Sequence, residues 1–247
     1  MTIVRAETVR IFRIWSQTFL PPAITTTLYY VIFGTFIGSQ IDAVEGFTYM
    51  QFIVPGLVMM AVITNSFTNT ASSFFGAKFQ RQLEELLVSP VPPIIVLAGY
   101  VTGGVVRGLL TGLLVLIIAL FFTKLTVASL VALVVFILLT SIFFSLLGLV
   151  TGIYAKGFDG MSIIPNFVLT PLTYLGGVFY SVHMLSPFWQ GVSKLNPILY
   201  MVNGFRYGFL GISDVNVWWS FTMLVAMSLG LVYYVLRLFQ TGRGLRH

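Results

Sequence analysis

Hydrophobic positions in this chain form long unbroken runs separated by short polar breaks, and they do not alternate. Runs of about twenty apolar residues are each long enough to cross about 30 Å of hydrocarbon as a helix. Barrel strands would instead alternate over about ten residues. The runs predict six membrane spans. The first covers roughly Phe19 to Gly38 and the second Met50 to Gly76. The third begins between Ile94 and Gly104 and ends near Phe122, and the fourth runs from Val127 to Tyr154. The fifth covers Met161 to Tyr180 and the sixth Trp218 to Leu238.

Three segments break this pattern. Residues 1–18 predict an amphipathic helix, with Ile11, Ile14, Trp15 and Phe19 on one side and Arg10, Arg13 and Gln17 on another, suited to the membrane interface. Residues 78–93, KFQRQLEELLVSPVPP, are a polar island between the second and third spans. Residues 181–217 are mixed in polarity and broken by Pro187 and Pro197. As a seventh span they would carry Lys194, Asn196, Asn203 and Arg206 into hydrocarbon, so a pair of short helices dipping in from the outer face is expected.

Charge orients the chain. With both termini cytoplasmic, the inner segments hold Arg5, Arg10, Arg13, Lys78, Arg81, Lys156, Arg237, Arg243 and Arg246, and the outer ones only Lys124, Lys194 and Arg206. That is the bias of the positive-inside rule. Arg107 lies within the third apolar run, either near the inner interface or as a buried charge. The net charge of +6 is spent at span ends, which points to anionic lipid and not to nucleic acid. All seven acids fall outside the predicted spans, which weakens a proton-driven carrier.

Composition fits a membrane chain throughout: 57% of the 247 residues are apolar and only 8% charged, against about 25% charged in soluble domains. One membrane domain over 1–247 is expected, with no cleaved leader, because Arg5, Glu7, Arg10 and Arg13 interrupt any apolar core before Phe19. No P-loop, no H-E-x-x-H and no nucleophile elbow occurs. Cysteine is absent and there are only two histidines, His183 and His247, so neither an enzyme nor a metal site is expected.

Two groups of polar residues remain to carry function. In the island, Lys78 and Arg81 precede Glu84 and Glu85, an order that opposes the helix dipole. Leu83, Leu86 and Leu87 form its apolar side, so it either packs on its own chain or meets a partner. In the second span, Thr64, Thr68 and Ser72 recur at i, i+4, as do Asn65, Asn69 and Ser73. In the fifth, Asn166, Thr170 and Thr173 share a side, and Pro165 and Pro171 can kink the helix. Both sets suit either a polar path or helix–helix hydrogen bonds.

The island resembles the coupling helix of ABC-2 type transport permeases, in which a glutamate, leucines and a proline precede the third span. Lys194 to Gly211, KLNPILYMVNGFRYGFLG, is similar to the signature those permeases carry before the last span. The similarity extends to YMQFIVPG, ASSFFGAKFQR, FVLTPLTYLGGVFYS and the GRGL tail. The resemblance implies a homodimer in a bacterial inner membrane, with each copy docked on a separate ATPase that holds ATP and magnesium. It implies that Lys78, Arg81, Glu84, Glu85, Leu86, Leu87 and Pro90 transmit the ATPase motion. It also implies that the second and fifth spans face the path, making Asn65, Thr68, Asn69, Ser72, Asn166, Thr170 and Thr173 substrate candidates. Asn196, Pro197, Tyr200 and Arg206 match the outer signature and are assigned a structural role. Export of an amphiphilic or sugar-bearing cargo is expected. The alternatives are an ion-gradient carrier or a membrane scaffold that moves nothing.

Overall fold

The computed structural model describes residues 2–41, 43–83, 91–242 and 244. It is helical, with no strand among these residues. Helix α1 spans Thr2–Arg13. Ile14 breaks the chain with non-helical angles, and α2 runs Trp15–Ile37, its last eight residues in π geometry. The predicted interfacial helix over 1–18 is therefore shorter than its pattern suggested: Trp15 to Thr18 open the first span instead.

Thr48 and Gln51 cap each other's backbone and start α3, Tyr49–Phe79. Helix α4 spans Pro93–Ala119, with proline at its first position, where the missing N–H has no partner to lose. The Ser129 side chain accepts from the Ala132 amide to open α5, Leu130–Tyr154. The chain then runs through α6, residues 158–175, in three parts: Phe158–Ile163, a π stretch Ile164–Leu169, and Thr170–Leu175. A short 3₁₀ turn leads into α7, Pro187–Lys194, and α8, Pro197–Leu210. Gly211, at φ +73°, ends α8 in the left-handed geometry that glycine adopts freely. Helix α9 is Val217–Thr241.

Five of these helices, α2, α3, α4, α5 and α9, are long and apolar enough to cross a membrane. The predicted fifth span differs from them. Residues 158–175 stay helical without a break, but Pro165 and Pro171 remove two backbone donors beside a π stretch, and α6 is not among the five.

Helix α3 is the axis of the bundle. Its most apolar stretch is 67% buried, against 11% for α2. Phe52, Ile53, Met59, Ile63 and Phe67 fill the core with Phe144, Met201 and Phe205. Small residues let the neighbours approach. Gly104 of α4 lies against Thr70 and Ser145, and Gly108 against Ser66. A Cβ on Gly148 would overlap the Phe67 carbonyl of α3, a backbone atom that cannot turn aside. Gly148→Ala is therefore expected to cost about 1–3 kcal/mol, read as a lowered Tm in detergent. Gly230→Ala, where nothing lies within 4 Å, is the control and leaves Tm unchanged or slightly raised.

Candidate functional site

The two polar ladders of α3 part company in the structure. Thr64 and Thr68 are exposed and Ser72 is half-buried, whereas Asn65, Asn69 and Ser73 are buried. Asn65 donates to the Ala61 carbonyl at 3.0 Å, a bond within its own helix. Asn69 accepts from Arg10 at 2.9 Å through its side-chain oxygen. The Ser73 hydroxyl donates to Glu7.

Glu7 is the residue the sequence reading passed over. It is 6% exposed and also pairs with Arg10 at 2.9 Å. Helix α1 lies along α4 with Ile3 against Gly99 and Glu7 against Gly103, a matched i, i+4 spacing on both helices. The signal was present: Ile3, Glu7 and Ile11 share one face, so Glu7 sits in the apolar stripe, where only a buried partner explains a carboxylate.

The open edge of α3 borders two clefts. One, of about 360 Å³, separates α3 from α6 and is lined by Thr64, Thr68, Ser72 and Asn166, so it brings three substrate candidates together. Thr170 is exposed and donates to the Pro165 carbonyl at 2.9 Å. Thr173 is buried and donates to Leu169 at 2.6 Å, because the π turn rotates it off the side shared by Asn166 and Thr170. The second cleft, of about 300 Å³, lies between α2 and α3 and is lined by Thr25, Thr64, Asn65, Thr68 and Arg107. Arg107 sits near the middle of α4, half-buried on the wall of this cleft.

The far end of α3 carries the first residues of the polar island. Lys78 donates to the carbonyls of Ile153 at 2.6 Å and Gly244 at 2.8 Å, tying α3 to the end of α5 and to the tail. Arg81 is exposed and adopts φ +61°, where α3 stops. Leu83 is buried among Phe74, Val96 and Leu97. Glu84, Glu85, Leu86, Leu87 and Pro90 lie outside the described residues. A cleft of about 570 Å³ opens here between α1 and α3, lined by Glu7, Arg10, Arg13, Ser72, Gln80 and Gln82.

At the opposite end, α8 is assembled around Arg206, which is 0% exposed. Its guanidinium donates to the Gly177 carbonyl, lies 3.9 Å from the centre of the Phe52 ring, and sits 3.9 Å from Asp214. Burial pulls its pKa down, and the Asp214 and Glu45 carboxylates push it back up. Asp214 also accepts from the Val182 amide at 2.9 Å, and its own amide donates to Asn203 at 2.6 Å. The Ser181 hydroxyl lies 2.9 Å from a carboxylate oxygen of both Asp214 and Glu45. Asn196 caps α8 through the Ile198 amide and donates to Leu172 at 2.6 Å. Pro197 follows as the first helical residue, and the Tyr200 hydroxyl donates to the Lys194 carbonyl at 2.7 Å. Asn203, Asp214, Ser181 and Glu45 had no periodic signal, because they meet from three separate loops and one helix.

Comparison with known proteins bears on this arrangement. Residues 1–210 match the model of a family described as ABC-2 type transporter. The chain is 59% identical over 237 residues to the inner membrane transport permease YadH of Escherichia coli K12, covering 96% of this chain and 93% of that protein. It is 24% identical over 185 residues to nodulation protein J of Rhizobium meliloti, covering 74% of this chain and 71% of that one.

Proposed function

The chain belongs to the ABC-2 type transporter family, and from that premise we propose that it is the permease subunit of an ATP-driven exporter in a bacterial inner membrane. Two copies form the path, a separate ATPase docks beneath the α3–α4 connection, and both termini are cytoplasmic. The uncovered Thr64, Thr68 and Ser72 edge of α3, facing Asn166 across a cleft, is the observation that carries this reading. The helix most deeply packed in the bundle leaves hydroxyls open on one side. That is unfavourable against lipid tails and suits a hydrated passage. The exposed apolar ridge of α2, with Leu20, Ile24 and Leu28, supports a second copy or lipid along its outer side. Glu84 and Glu85, beyond the end of α3, are the residues proposed to meet the ATPase, so that its closure changes the gap between α3 and α6.

The test is biochemical. The chain is purified with the P-loop ATPase encoded nearest to it and reconstituted, and vanadate-sensitive ATP hydrolysis is measured. Reversing Glu84 and Glu85 to lysine is expected to lower turnover about tenfold or more, about 1.4 kcal/mol of coupling, while the permease itself keeps its Tm. Unchanged assembly and unchanged turnover would remove the docking claim, and cargo movement with no ATPase present would remove the whole reading.

A further inference from the structure

We infer that the cleft between α2 and α3 binds an amphiphile with an anionic head, a phosphate ester or carboxylate, whose charge is met by Arg107. This deepens the permease reading by naming a class of cargo and rests on it only for the step from binding to transport. Arg107 sits near the middle of the 27-residue helix α4 and lines the cleft.

The guanidinium is also unmatched. Among the described residues Arg107 has no ion pair and no side-chain hydrogen bond, and its buried Nε has no partner. Glu7, the acid of α1, is already engaged by Arg10 and Ser73. An arginine that lines an open cleft with no protein counter-charge is free to take an anion from outside. The cleft of about 300 Å³ gives access to it. That is the lower end of the size range of small-molecule sites.

The lining decides the class. On α2, Gln17, Pro21, Thr25 and Tyr29 recur at i, i+4 and present one continuous wall. Thr64 and Thr68 face it from α3, and neither hydroxyl has a partner among the described residues. Leu57, Met60 and Pro21 make much of the rest apolar. A bare inorganic anion would find one cation and little else. An amphiphile satisfies both surfaces: its head meets Arg107 and the threonines, and its tail lies along Pro21, Leu57 and Met60 of the same cleft.

The experiment uses the full chain in detergent without any ATPase. Native mass spectrometry measures binding of phosphatidylglycerol, which is anionic, phosphatidylcholine, whose choline cancels the phosphate, and inorganic phosphate as competitor. Phosphatidylglycerol is expected to bind about tenfold or more tighter than phosphatidylcholine, with millimolar inorganic phosphate unable to displace it. Arg107→Gln abolishes the preference, Arg107→Lys retains part of it, and Thr64→Phe, which fills the cleft and leaves the cation, lowers binding of both lipids. Tm shows that each variant is folded, and Arg107→Gln removes an unmatched charge and so does not lower it. Equal selectivity in Arg107→Gln and the parent overturns the inference, and so does displacement by inorganic phosphate. Binding by the chain alone is independent of vanadate-sensitive turnover, so the lipid site and the permease reading fail separately.

Discussion

Arg206→Ala is expected to be the most destabilising single substitution in the chain. The side chain is fully enclosed and Asp214 beside it is 1% exposed. Removing the guanidinium strands a buried carboxylate, frees the Gly177 carbonyl and opens a void against Phe52. Breaking a buried pair from one side costs about 3–5 kcal/mol, which corresponds to a fall of roughly 10 °C or more in Tm for a domain of this size. Arg206→Lys is expected to recover only part of it, because an ammonium cannot reach the carbonyl and stack on the ring together. Pairing Arg206→Met with Asp214→Asn removes both charges and is expected to be milder than Arg206→Ala, which a double-mutant cycle in detergent measures. A single Arg206→Ala variant as stable as the parent would show that the outer helices are held by packing alone.

Glu7→Ala should release the N-terminal helix. Glu7 accepts from Arg10 and from Ser73, and both lose their acceptor at once. Hydrogen bonds to a charged group contribute about 1.5–3 kcal/mol each. The Arg10 side chain is 31% exposed and recovers some hydration, so the net loss is about 2–3 kcal/mol. Hydrogen exchange should show the amides of α1 losing protection while those of α3 and α5 keep theirs. Glu7→Gln preserves the shape and should lose about half as much. Unaltered protection of α1 in Glu7→Ala would mean that Ile3 and Ile11 hold the helix unaided.

These two sites differ in how far the chain announced them. Arg206 stood out as a charge of the block that resembles the outer signature, and its structural role came with that resemblance. Its acid, Asp214, was invisible as a partner, because a loop residue carries no periodicity. In the sequence Glu7 shows only as a charge that interrupts any apolar core before Phe19. Its burial depends on the glycine groove of α4, about ninety residues away, against which α1 lies.

The α3 ladders show the limit most clearly. Spacing alone put Thr64, Thr68 and Ser72 on one face and Asn65, Asn69 and Ser73 on the adjacent one. Which face would be closed by protein could not follow from either pattern, since the two are equally polar and lie only about 100° apart. Helix α1 covers Asn69 and Ser73, while Thr64 and Thr68 border the clefts toward α2 and α6. The grouping of Asn166, Thr170 and Thr173 failed for a local reason: two prolines forced a π turn, and the usual helical period no longer applied.

Taken alone, the order of residues determined that the chain is helical and membrane-embedded, where most of its helices begin and end, and which segments interrupt them. These properties follow from the length of apolar runs and the chemistry of prolines, glycines and caps, all of which act over a few neighbouring positions. The tertiary arrangement alone decided that α3 is the axis, that Glu7 and Asn69 lock together, and that Arg107 looks into a cleft without a counter-charge. Those outcomes depend on which helices approach one another, and close approach is set by glycine contacts between segments far apart in the chain.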